Sequence, residues 1–183
     1  MKMFLSHLDS PLGTMLLVTD DRQVVRALDF ADHKAHLHRG LREHYGEVVL
    51  AEILPPVGIV GALVRYFAGE LEALNELPTQ TAGSDLQRRV WGALRRIPAG
   101  STTTYGKLAK ELGFDDPRAA IDIGAANGAN PVAIIVPCHR VIGSNGDLKG
   151  YAWGLHRKRW LLEHEKAMKP AKEEGRTAML PGF

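Results

Sequence analysis

The residues of this chain best suited to nucleophilic chemistry lie together at positions 138 to 140. Cys138 is the single cysteine among 183 residues, and it follows Pro137 and precedes His139 and Arg140. A thiolate is a strong nucleophile, and a neighbouring base or fixed positive charge favours the thiolate over the thiol. The opposing interpretation is that a lone cysteine is a small buried hydrophobe. The flanking proline, histidine and arginine favour the reactive interpretation.

The segments on either side of this motif must position the thiol. The unbroken apolar run at 133–136 predicts a buried strand or core segment that carries the thiol out of the interior. Downstream, the Gly-Ser-Asn-Gly sequence at 143–146 is a strong hairpin turn signal. It would join a strand at 141–142 to a second strand at 148–151.

Two short helices are predicted upstream of the cysteine. Thr104 can cap a helix over 105–112, and Asp116 followed by Pro117 starts a second helix over about 118–127. Two short helices joined by a tight turn are typical of a helix-turn-helix, and the hairpin beside them would be its wing. The second helix is rich in small residues, which would permit close approach either to DNA or to a packed neighbouring helix.

The N-terminal half predicts a different structure. Residues 1–30 alternate as strands of hairpins, 31–45 form a polar helix with four histidines, and 75–83 is the candidate linker. A helix over 57–71 is predicted with a buried stripe at three- and four-residue steps, formed by Val57, Val60, Val64, Phe67 and Leu71. We therefore expect two domains, 1–81 and 82–168, and a mobile tail over 169–183.

Composition limits the classes of function. Residues 1–81 carry 7 Lys/Arg and 11 Asp/Glu, whereas 82–183 carry 16 and 10, so the net charges are −4 and +6. A basic half beside an acidic half is typical of a polyanion-binding domain with a supporting partner. One cysteine excludes an internal disulfide and a multi-thiolate zinc site, which favours a reducing cytoplasm and no metal. No signal peptide or apolar run long enough for a membrane span is apparent.

One segment resembles a known active-site signature. It reads Gly-Ala-Asn-Pro at 128–131 and Pro-Cys-His-Arg-Val-Ile at 137–142. This signature is similar to that of the O-alkylguanine-DNA alkyltransferases, and the resemblance extends over 87–91, 105–109 and 157–165. It implies an α+β fold, with a small ribonuclease-H-like antiparallel-sheet domain before a mostly helical domain that contains a winged helix-turn-helix.

The resemblance implies a DNA-repair protein that acts without a cofactor. It would take a methyl or other alkyl group from the 6-oxygen of guanine, or the 4-oxygen of thymine, onto Cys138. Because a thioether is not hydrolysed, each molecule would act once. His139 is expected to activate the thiol through a water, and Glu165 to orient and charge His139. Tyr105 is expected to bind the flipped base and donate a proton, and Asn130 to brace the active-site turn.

The resemblance also assigns residues to the substrate pocket and to the DNA surface. The expected pocket residues are Tyr151, Ala152, Trp153, Val141 and Ser144. The expected DNA-binding residues are Arg118, Ala119, Ala120, Ile121, Gly124, Asn127 and Arg140. Trp153 stands where several relatives have glycine, so its ring is expected to narrow the pocket and favour methyl over bulky benzyl adducts.

A second departure from the family pattern lies in the second helix of the motif. Relatives usually carry an arginine near the start of this helix, which fills the gap left by the flipped base. An ungapped alignment places Ile121 there, followed by Asp122 where a small residue is typical. Arg118, one turn earlier, could substitute if about three extra residues precede Gly124. An exposed apolar side chain could instead wedge between bases.

Three alternatives to repair are open. A lesion-binding protein with weak or no repair activity is favoured by Ile121 but opposed by Cys138, since alkyltransferase-like binders lack the acceptor cysteine. A cysteine hydrolase would need Cys138 and His139 to act as a direct pair. Adjacent residues of a strand point to opposite sides, which opposes such a pair. A winged-helix regulator would not need Cys138, His139 and Glu165. The expected partner is double-stranded DNA with an alkylated guanine or thymine, bound by a monomer.

Overall fold

Residues 1–170 are described by the structure, which is a computed structural model. The predicted tail at 169–183 therefore lies almost entirely outside the described residues. The strands are β1 (Lys2–Leu8), β2 (Met15–Thr19), β3 (Val25–Phe30), β4 (Val49–Glu52), β5 (Thr103–Thr104) and β6 (Val141–Ile142). The helices are α1 (Lys34–Tyr45), α2 (Val57–Phe67), α3 (Asp85–Leu94), α4 (Tyr105–Glu111), α5 (Ala119–Gly128) and α6 (Leu155–His164). None of these helices is long and apolar enough to cross a membrane.

The N-terminal half is a four-stranded sheet in the order β3-β2-β1-β4. The first three strands are antiparallel, as the hairpin pattern predicts. Asp20 fixes the second turn because its carboxylate accepts hydrogen bonds from the backbone N–H groups of Arg22 and Val24. The fourth strand was not predicted. It pairs in parallel with β1 after the crossover through α1, so the sheet is mixed at that edge.

Helix α2 packs on a different face from the one predicted. Ile59, Leu63 and Tyr66 are buried, whereas Val57 is 88% exposed and Val64 is 61% exposed. The predicted stripe was right in part, since Val60, Phe67 and Leu71 are half-buried against the core. It missed the most buried face because α2 is apolar on almost every side, so the spacing of apolar residues does not identify that face. The helix also ends at Phe67 and does not extend to Leu71. The choice of face places Tyr66 in the interior.

The C-terminal half begins with a capping box at the start of α3. The hydroxyl of Ser84 accepts from the N–H of Gln87, and the side-chain oxygen of Gln87 accepts from the N–H of Ser84, at 3.1 and 3.0 Å. Thr104 caps α4 through the N–H of Lys107. Helices α4 and α5 pack together as the helix-turn-helix, and α3 packs against α5.

The segment at 75–83, predicted as a linker, is bound to both halves. The carbonyl of Pro78 accepts from the N–H of Val25, and the N–H of Gln80 donates to the carbonyl of Val25. The guanidinium of Arg95, at the end of α3, donates to carbonyl oxygens of residues 74, 75 and 77. These bonds hold the connecting segment against the sheet and the first helix of the C-terminal half.

The predicted wing differs from its expected form. The turn at 143–146 is present, but β6 pairs in parallel with β5, and residues 148–151 form no strand. The ammonium group of Lys158 donates to the carbonyls of Val141, Leu148 and Gly150 at 2.7, 2.6 and 3.0 Å. Lys158 thus satisfies acceptors that a second strand would have paired, and the wing is a loop closed by one buried lysine.

The apolar run at 133–136 is a buried core segment and not a strand. Val132 makes a single bridge to Leu28 of β3, and Ala133 donates its N–H to the carbonyl of Leu28 at 2.9 Å. Ile134 then adopts a positive φ of 67°, which is unusual for a β-branched residue and turns the chain sharply. The active-site segment is therefore docked on the N-terminal sheet before it reaches the cysteine.

Trp153 joins the same two halves at a second point. Its indole N–H donates to Asp29 Oδ1 at 2.8 Å, and its ring packs edge-on against Phe30 and His36. Asp29 also accepts from the N–H of Phe30 and lies 2.7 Å from His36 Nδ1. This fully buried indole therefore belongs to the contact between the sheet and the wing loop.

We expect two substitutions of Trp153 to weaken that contact by different amounts. Trp153→Ala should lower the free energy of unfolding by about 3–5 kcal/mol, because a buried aromatic ring is removed. Trp153→Phe keeps much of the ring but loses the donor to Asp29, and should cost about 1–3 kcal/mol. Urea denaturation measures both. Values within 0.5 kcal/mol of the parent protein for Trp153→Ala would contradict this role.

Candidate active site

Cys138 lies at the floor of a cleft between the helix-turn-helix and the wing loop. It begins a 3₁₀ turn, Cys138–Arg140, and its side chain is 6% exposed. The cleft has a volume of about 280 Å³, close to the lower end of the usual ~300–1,000 Å³ range for small-molecule sites. Its walls are formed by Tyr105, Gly124, Asn127, Gly128, Gly150, Tyr151 and Ala152.

One wall of the cleft forms where α4 packs on α5. Tyr105 is the first residue of α4, and its side chain lines the cleft beside Gly124 of α5. A Cβ atom added at Gly124 would lie 3.8 Å from the ring of Tyr105, which is ordinary van der Waals contact, so alanine would also fit there. The packing of the two helices therefore does not require a glycine at this position.

Two asparagines hold the backbone around the thiol. Asn130 donates to the carbonyls of Val132 and Val136 and accepts from the N–H of Val132, all within 3.1 Å. Asn127, at the end of α5, donates to the carbonyl of Cys138 at 3.3 Å. Asn130 thus closes the turn that leads into the active-site segment. Asn127 connects α5, the second or recognition helix of the helix-turn-helix, to the cysteine itself.

A buried carboxylate connects the residues behind the cysteine. Glu165, at the end of α6, accepts from Arg140 Nε at Oε1, and from Arg140 Nη2, His139 Nε2 and Tyr66 Oη at Oε2, at 2.7 to 2.9 Å. The pKa of Glu165 is held far below its usual range by its bonds to His139 and Arg140, although burial alone would raise that pKa. The carboxylate is therefore ionised and can only accept hydrogen bonds.

The ionised carboxylate determines which nitrogen of His139 carries the proton. Because Glu165 accepts from Nε2, the neutral ring must leave Nδ1 unprotonated. Nδ1 is buried and has no hydrogen-bond partner among residues 1–170. Burial lowers the pKa of His139, against the opposing effect of Glu165. The ring is thus a neutral base with one free acceptor nitrogen.

The thiol at rest is protonated. Burial raises the pKa of Cys138 to about 11, and the smaller opposing effects come from Asn130 and Lys158. The prediction that Arg140 favours the thiolate was wrong, because its guanidinium turns inward to Glu165 and to the carbonyl of Ile97. The same burial contradicts the prediction that Arg140 contacts DNA.

Several other predicted site residues lie away from the cleft. Trp153 is buried against Asp29 and does not line the cleft, so the prediction that its ring narrows the pocket was wrong. Val141 is fully buried in β6, and Ser144 is exposed at the wing turn; neither lines the cleft. Tyr151 and Ala152 do line it, and the hydroxyl of Tyr151 is buried beside the thiol.

The outer surface of the recognition helix carries only some of the residues predicted to face DNA. Ile121 is 73% exposed, Asp122 is exposed, and Arg118 is exposed and paired with Asp116. Ala120 is half-buried. Ala119 faces the protein interior, which contradicts its prediction as a DNA contact. Asn127 is also buried and belongs to the cleft.

Two residues of the site were not predicted from the sequence. Tyr66 was missed because the predicted face of α2 excluded it, and Lys158 because a lysine on a basic helix is usually exposed. No spacing signal could have identified the tyrosine, because α2 is apolar on almost every side. For Lys158, nothing in the local pattern indicates burial.

No group of three or more metal-binding side chains lies together within residues 1–170. A second cavity of about 330 Å³ lies between α1 and the end of α5, lined by Asp29, His36 and Arg39 among others. It contains no thiol, and we assign the chemistry to the smaller cleft because the nucleophile lies there.

Comparison with known proteins gives the same picture over most of the chain. Residues 3–81 match the family described as 6-O-methylguanine DNA methyltransferase, ribonuclease-like domain, and residues 85–167 match its DNA binding domain. The methylated-DNA–protein-cysteine methyltransferase of Salmonella typhimurium is 46% identical over 158 residues, which are 85% of this chain and 91% of that protein. That of Methanosarcina acetivorans is 39% identical, over 89% of this chain and 98% of that protein.

The fold agrees with a solved relative. The crystal structure of Mycobacterium tuberculosis OGT in complex with DNA has a TM-score of 0.72 and 39% sequence identity, and the match covers 92% of this chain and 96% of that one. A buried thiol below a helix-turn-helix, backed by a histidine and a carboxylate, defines a class of DNA-binding proteins that accept a transferred group on cysteine. The chain belongs to the 6-O-methylguanine DNA methyltransferase family.

We expect the resting thiol to react slowly with simple reagents. Because the pKa of Cys138 is about 11, the rate of iodoacetamide labelling should rise about tenfold per pH unit between pH 7 and 10. Intact mass measures the labelled fraction. The chain unfolded in guanidinium chloride is the control, and its labelling should level off near pH 8.5. Fast labelling of the folded protein that does not depend on pH would show a thiolate at rest and contradict this account.

Proposed function

We propose that this protein repairs alkylated DNA by moving a methyl or other alkyl group from the 6-oxygen of guanine, or the 4-oxygen of thymine, to Cys138. Membership of the family establishes a DNA-binding methyltransferase. The observation that carries the assignment to Cys138 is its place at the floor of a cleft of about 280 Å³, next in sequence to His139, whose imidazole is hydrogen-bonded to Glu165.

The transfer is a displacement at the alkyl carbon. The sulfur of Cys138 forms a bond to that carbon as the carbon–oxygen bond breaks, and the electron pair stays on the oxygen of the base. The thiol proton passes to Nδ1 of His139 through a water, and Glu165 stabilises the imidazolium that forms. Tyr105 donates a hydrogen bond and then a proton to the leaving base. A base is required because burial keeps the thiol protonated at neutral pH.

The reacting atom is inaccessible in stacked DNA, so the nucleotide must leave the duplex and enter the cleft, which costs a few kcal/mol. The C-terminal half carries a net charge of +6, and its contacts with phosphates can offset that cost. The cleft opens beside α5, so the outer surface of this helix, with Ile121 and Arg118, would meet the DNA.

Each molecule would act once. The product is a thioether, whose sulfur is neither charged nor a good leaving group. It would remain buried beside Asn127 and Tyr151, with no second thiol in the sequence to accept the alkyl group. The alternative of a lesion-binding protein without repair activity is not favoured, since Cys138 is present and the relatives are methyltransferases.

Other features of the function follow from the same arrangement. We infer that the protein acts as a monomer, because one chain supplies the thiol, the base and the walls of the cleft. A single-use thiol must stay reduced, which favours the cytoplasm. The division into domains at 1–81 and 82–168 is supported by the sheet on one side and the helix-turn-helix on the other.

The acceptor is tested by incubation with duplex DNA that contains 6-O-methylguanine. We expect the intact protein to gain one methyl group per molecule, with the added mass on the peptide that contains Cys138. The reaction should stop at one equivalent. Cys138→Ser should bind the DNA and gain nothing, because a hydroxyl is a much weaker nucleophile. Methyl transfer to another residue, or turnover beyond one equivalent, would contradict the proposal.

The surface of the recognition helix gives a second test. Ile121→Arg should raise the rate of transfer from duplex DNA on the order of tenfold, equivalent to ~1.4 kcal/mol, because a guanidinium can fill the space left by the base and contact phosphates. The rate is measured under single-turnover conditions with protein in excess.

Two comparisons make this result specific. Free 6-O-methylguanine nucleoside needs no flipping, so its transfer rate should be the same in Ile121→Arg and in the parent protein. Ile121→Ala removes the apolar side chain without adding charge, and should not raise the rate with duplex DNA. An unchanged rate for Ile121→Arg with duplex DNA would contradict the proposed place of residue 121.

A further inference from the structure

The hydroxyl of Tyr66 reaches the catalytic network from the N-terminal half of the chain. Tyr66 is fully buried in the last turn of α2, and its Oη donates to Glu165 Oε2 at 2.7 Å, across 99 residues of sequence. Glu165 is in turn bonded to His139, the residue beside the thiol. One hydrogen bond therefore connects the N-terminal half to the proposed general base.

The carboxylate oxygen that binds His139 also carries the bond from Tyr66. Oε2 of Glu165 accepts from Tyr66, His139 and Arg140, whereas Oε1 accepts from Arg140 Nε. Donors on one carboxylate oxygen draw on the same negative charge, so the charge that one donor stabilises is less available to the others. The phenol therefore competes with the imidazole for the charge on Oε2.

We propose that Tyr66 is a positioning residue for alkyl transfer: its hydroxyl orients the carboxylate of Glu165 and limits the basicity that Glu165 confers on His139. This inference rests on the proposed function, in which His139 takes the proton of Cys138. The N-terminal half then contributes to catalysis directly and is not only a support for the DNA-binding half.

Tyr66 can act only as a donor here. Burial and the negative charge of Glu165 raise the pKa of its phenol far above the usual value, so the phenol is neutral at every working pH. A neutral phenol beside an ionised carboxylate donates its hydrogen bond without a change of charge. The contact is thus constant over the range in which His139 titrates.

The packing of the Tyr66 ring is separable from its hydroxyl. The ring lies edge-on against Phe67 and His164, with centroids 5.3 and 5.2 Å away, and the carbonyl of Tyr66 accepts from His164 Nε2 at 2.8 Å. The two contacts with His164 hold α2 against α6 whether or not the hydroxyl is present. Replacement of Tyr66 by phenylalanine therefore removes the donor and keeps the packing.

Within residues 1–170, the charged groups that act on His139 are Glu165, Arg140 and Lys158. Tyr66 and Tyr151 belong to the same buried network, Tyr66 through its bond to Glu165 and Tyr151 through its electrostatic interactions with Cys138, Tyr66 and Glu165. Tyr66 is the member of this network that the N-terminal half supplies. Arg140 and Lys158 lower the pKa of His139, and Glu165 raises it. Any change in the charge available on Glu165 will therefore be transmitted to His139.

The direction of the effect follows from these contacts. Without the phenol, Oε2 keeps more negative charge for His139, and the imidazolium is favoured. The pKa of His139 then rises, and the neutral base is lost at a higher pH than in the parent protein. Tyr66→Phe should therefore be on the order of fivefold slower in alkyl transfer at pH 6, and within twofold of the parent at pH 8.5.

The experiment is a pH profile of single-turnover transfer from DNA containing 6-O-methylguanine, for the parent protein, Tyr66→Phe and Tyr66→Met. Both variants lack the hydroxyl but fill the site differently, so a shift common to both belongs to the hydroxyl. Should one of them fail to fold, as judged by urea denaturation, the other decides. NMR titration of the His139 ring should show its pKa raised in the same variants.

Phe67→Leu is the matched control, because it perturbs the same interface without touching Glu165. At acid pH, the transfer rate of Phe67→Leu should depend on pH in the same way as that of the parent protein. A rate loss in Tyr66→Phe that is equal at every pH, or an unshifted profile, would overturn the proposal and leave Tyr66 with a packing role. A parent protein that transfers nothing to Cys138 would instead refute the proposed function itself.

Discussion

The buried carboxylate of Glu165 is the constraint on which the active site depends. Loss of one partner of a buried ion pair typically costs about 3–5 kcal/mol, so an ionised carboxylate must be matched by donors on all sides. Here Arg140 supplies the countercharge, and His139 and Tyr66 occupy the rest of Oε2. These bonds join α6, the 3₁₀ turn and α2. The same arrangement that stabilises the interior therefore also leaves one nitrogen of His139 free to act as a base.

Burial of the Cys138 thiol affects its reactivity in one way at rest and in another way during transfer. Desolvation raises the pKa of Cys138, so the sulfur is protected from adventitious oxidants and alkylating agents while the cleft is empty. A substrate base that fills the cleft would exclude water and bring its alkyl carbon to the sulfur. Reactivity is then confined to the complex with DNA, which suits a protein that can be used only once.

The N-terminal half contacts the catalytic half at several independent points. Leu28 of β3 holds the segment before the cysteine, Asp29 holds Trp153 behind the wing loop, and Tyr66 meets Glu165. The first two contacts come from β3 and the third comes from α2, so both the sheet and a helix of the N-terminal half support the segments that carry the active site. This arrangement gives a physical reason for an acidic domain that does not itself contact the substrate in the proposed reaction.

The sequence by itself determined the features that depend on local chemistry: the hairpins of 1–30, the capping box of α3, the helix-turn-helix and the cysteine signature were all predictable from residue type and spacing. Only the tertiary structure decided which face of α2 is buried, where Arg140 and Trp153 point, and that Lys158 closes the wing. The reason is that turn and cap preferences act over a few residues, whereas a buried charge or indole is placed by partners far away in the chain. The sequence therefore predicted that the charge of Arg140 acts on the thiol, whereas in the structure its guanidinium is the countercharge of Glu165.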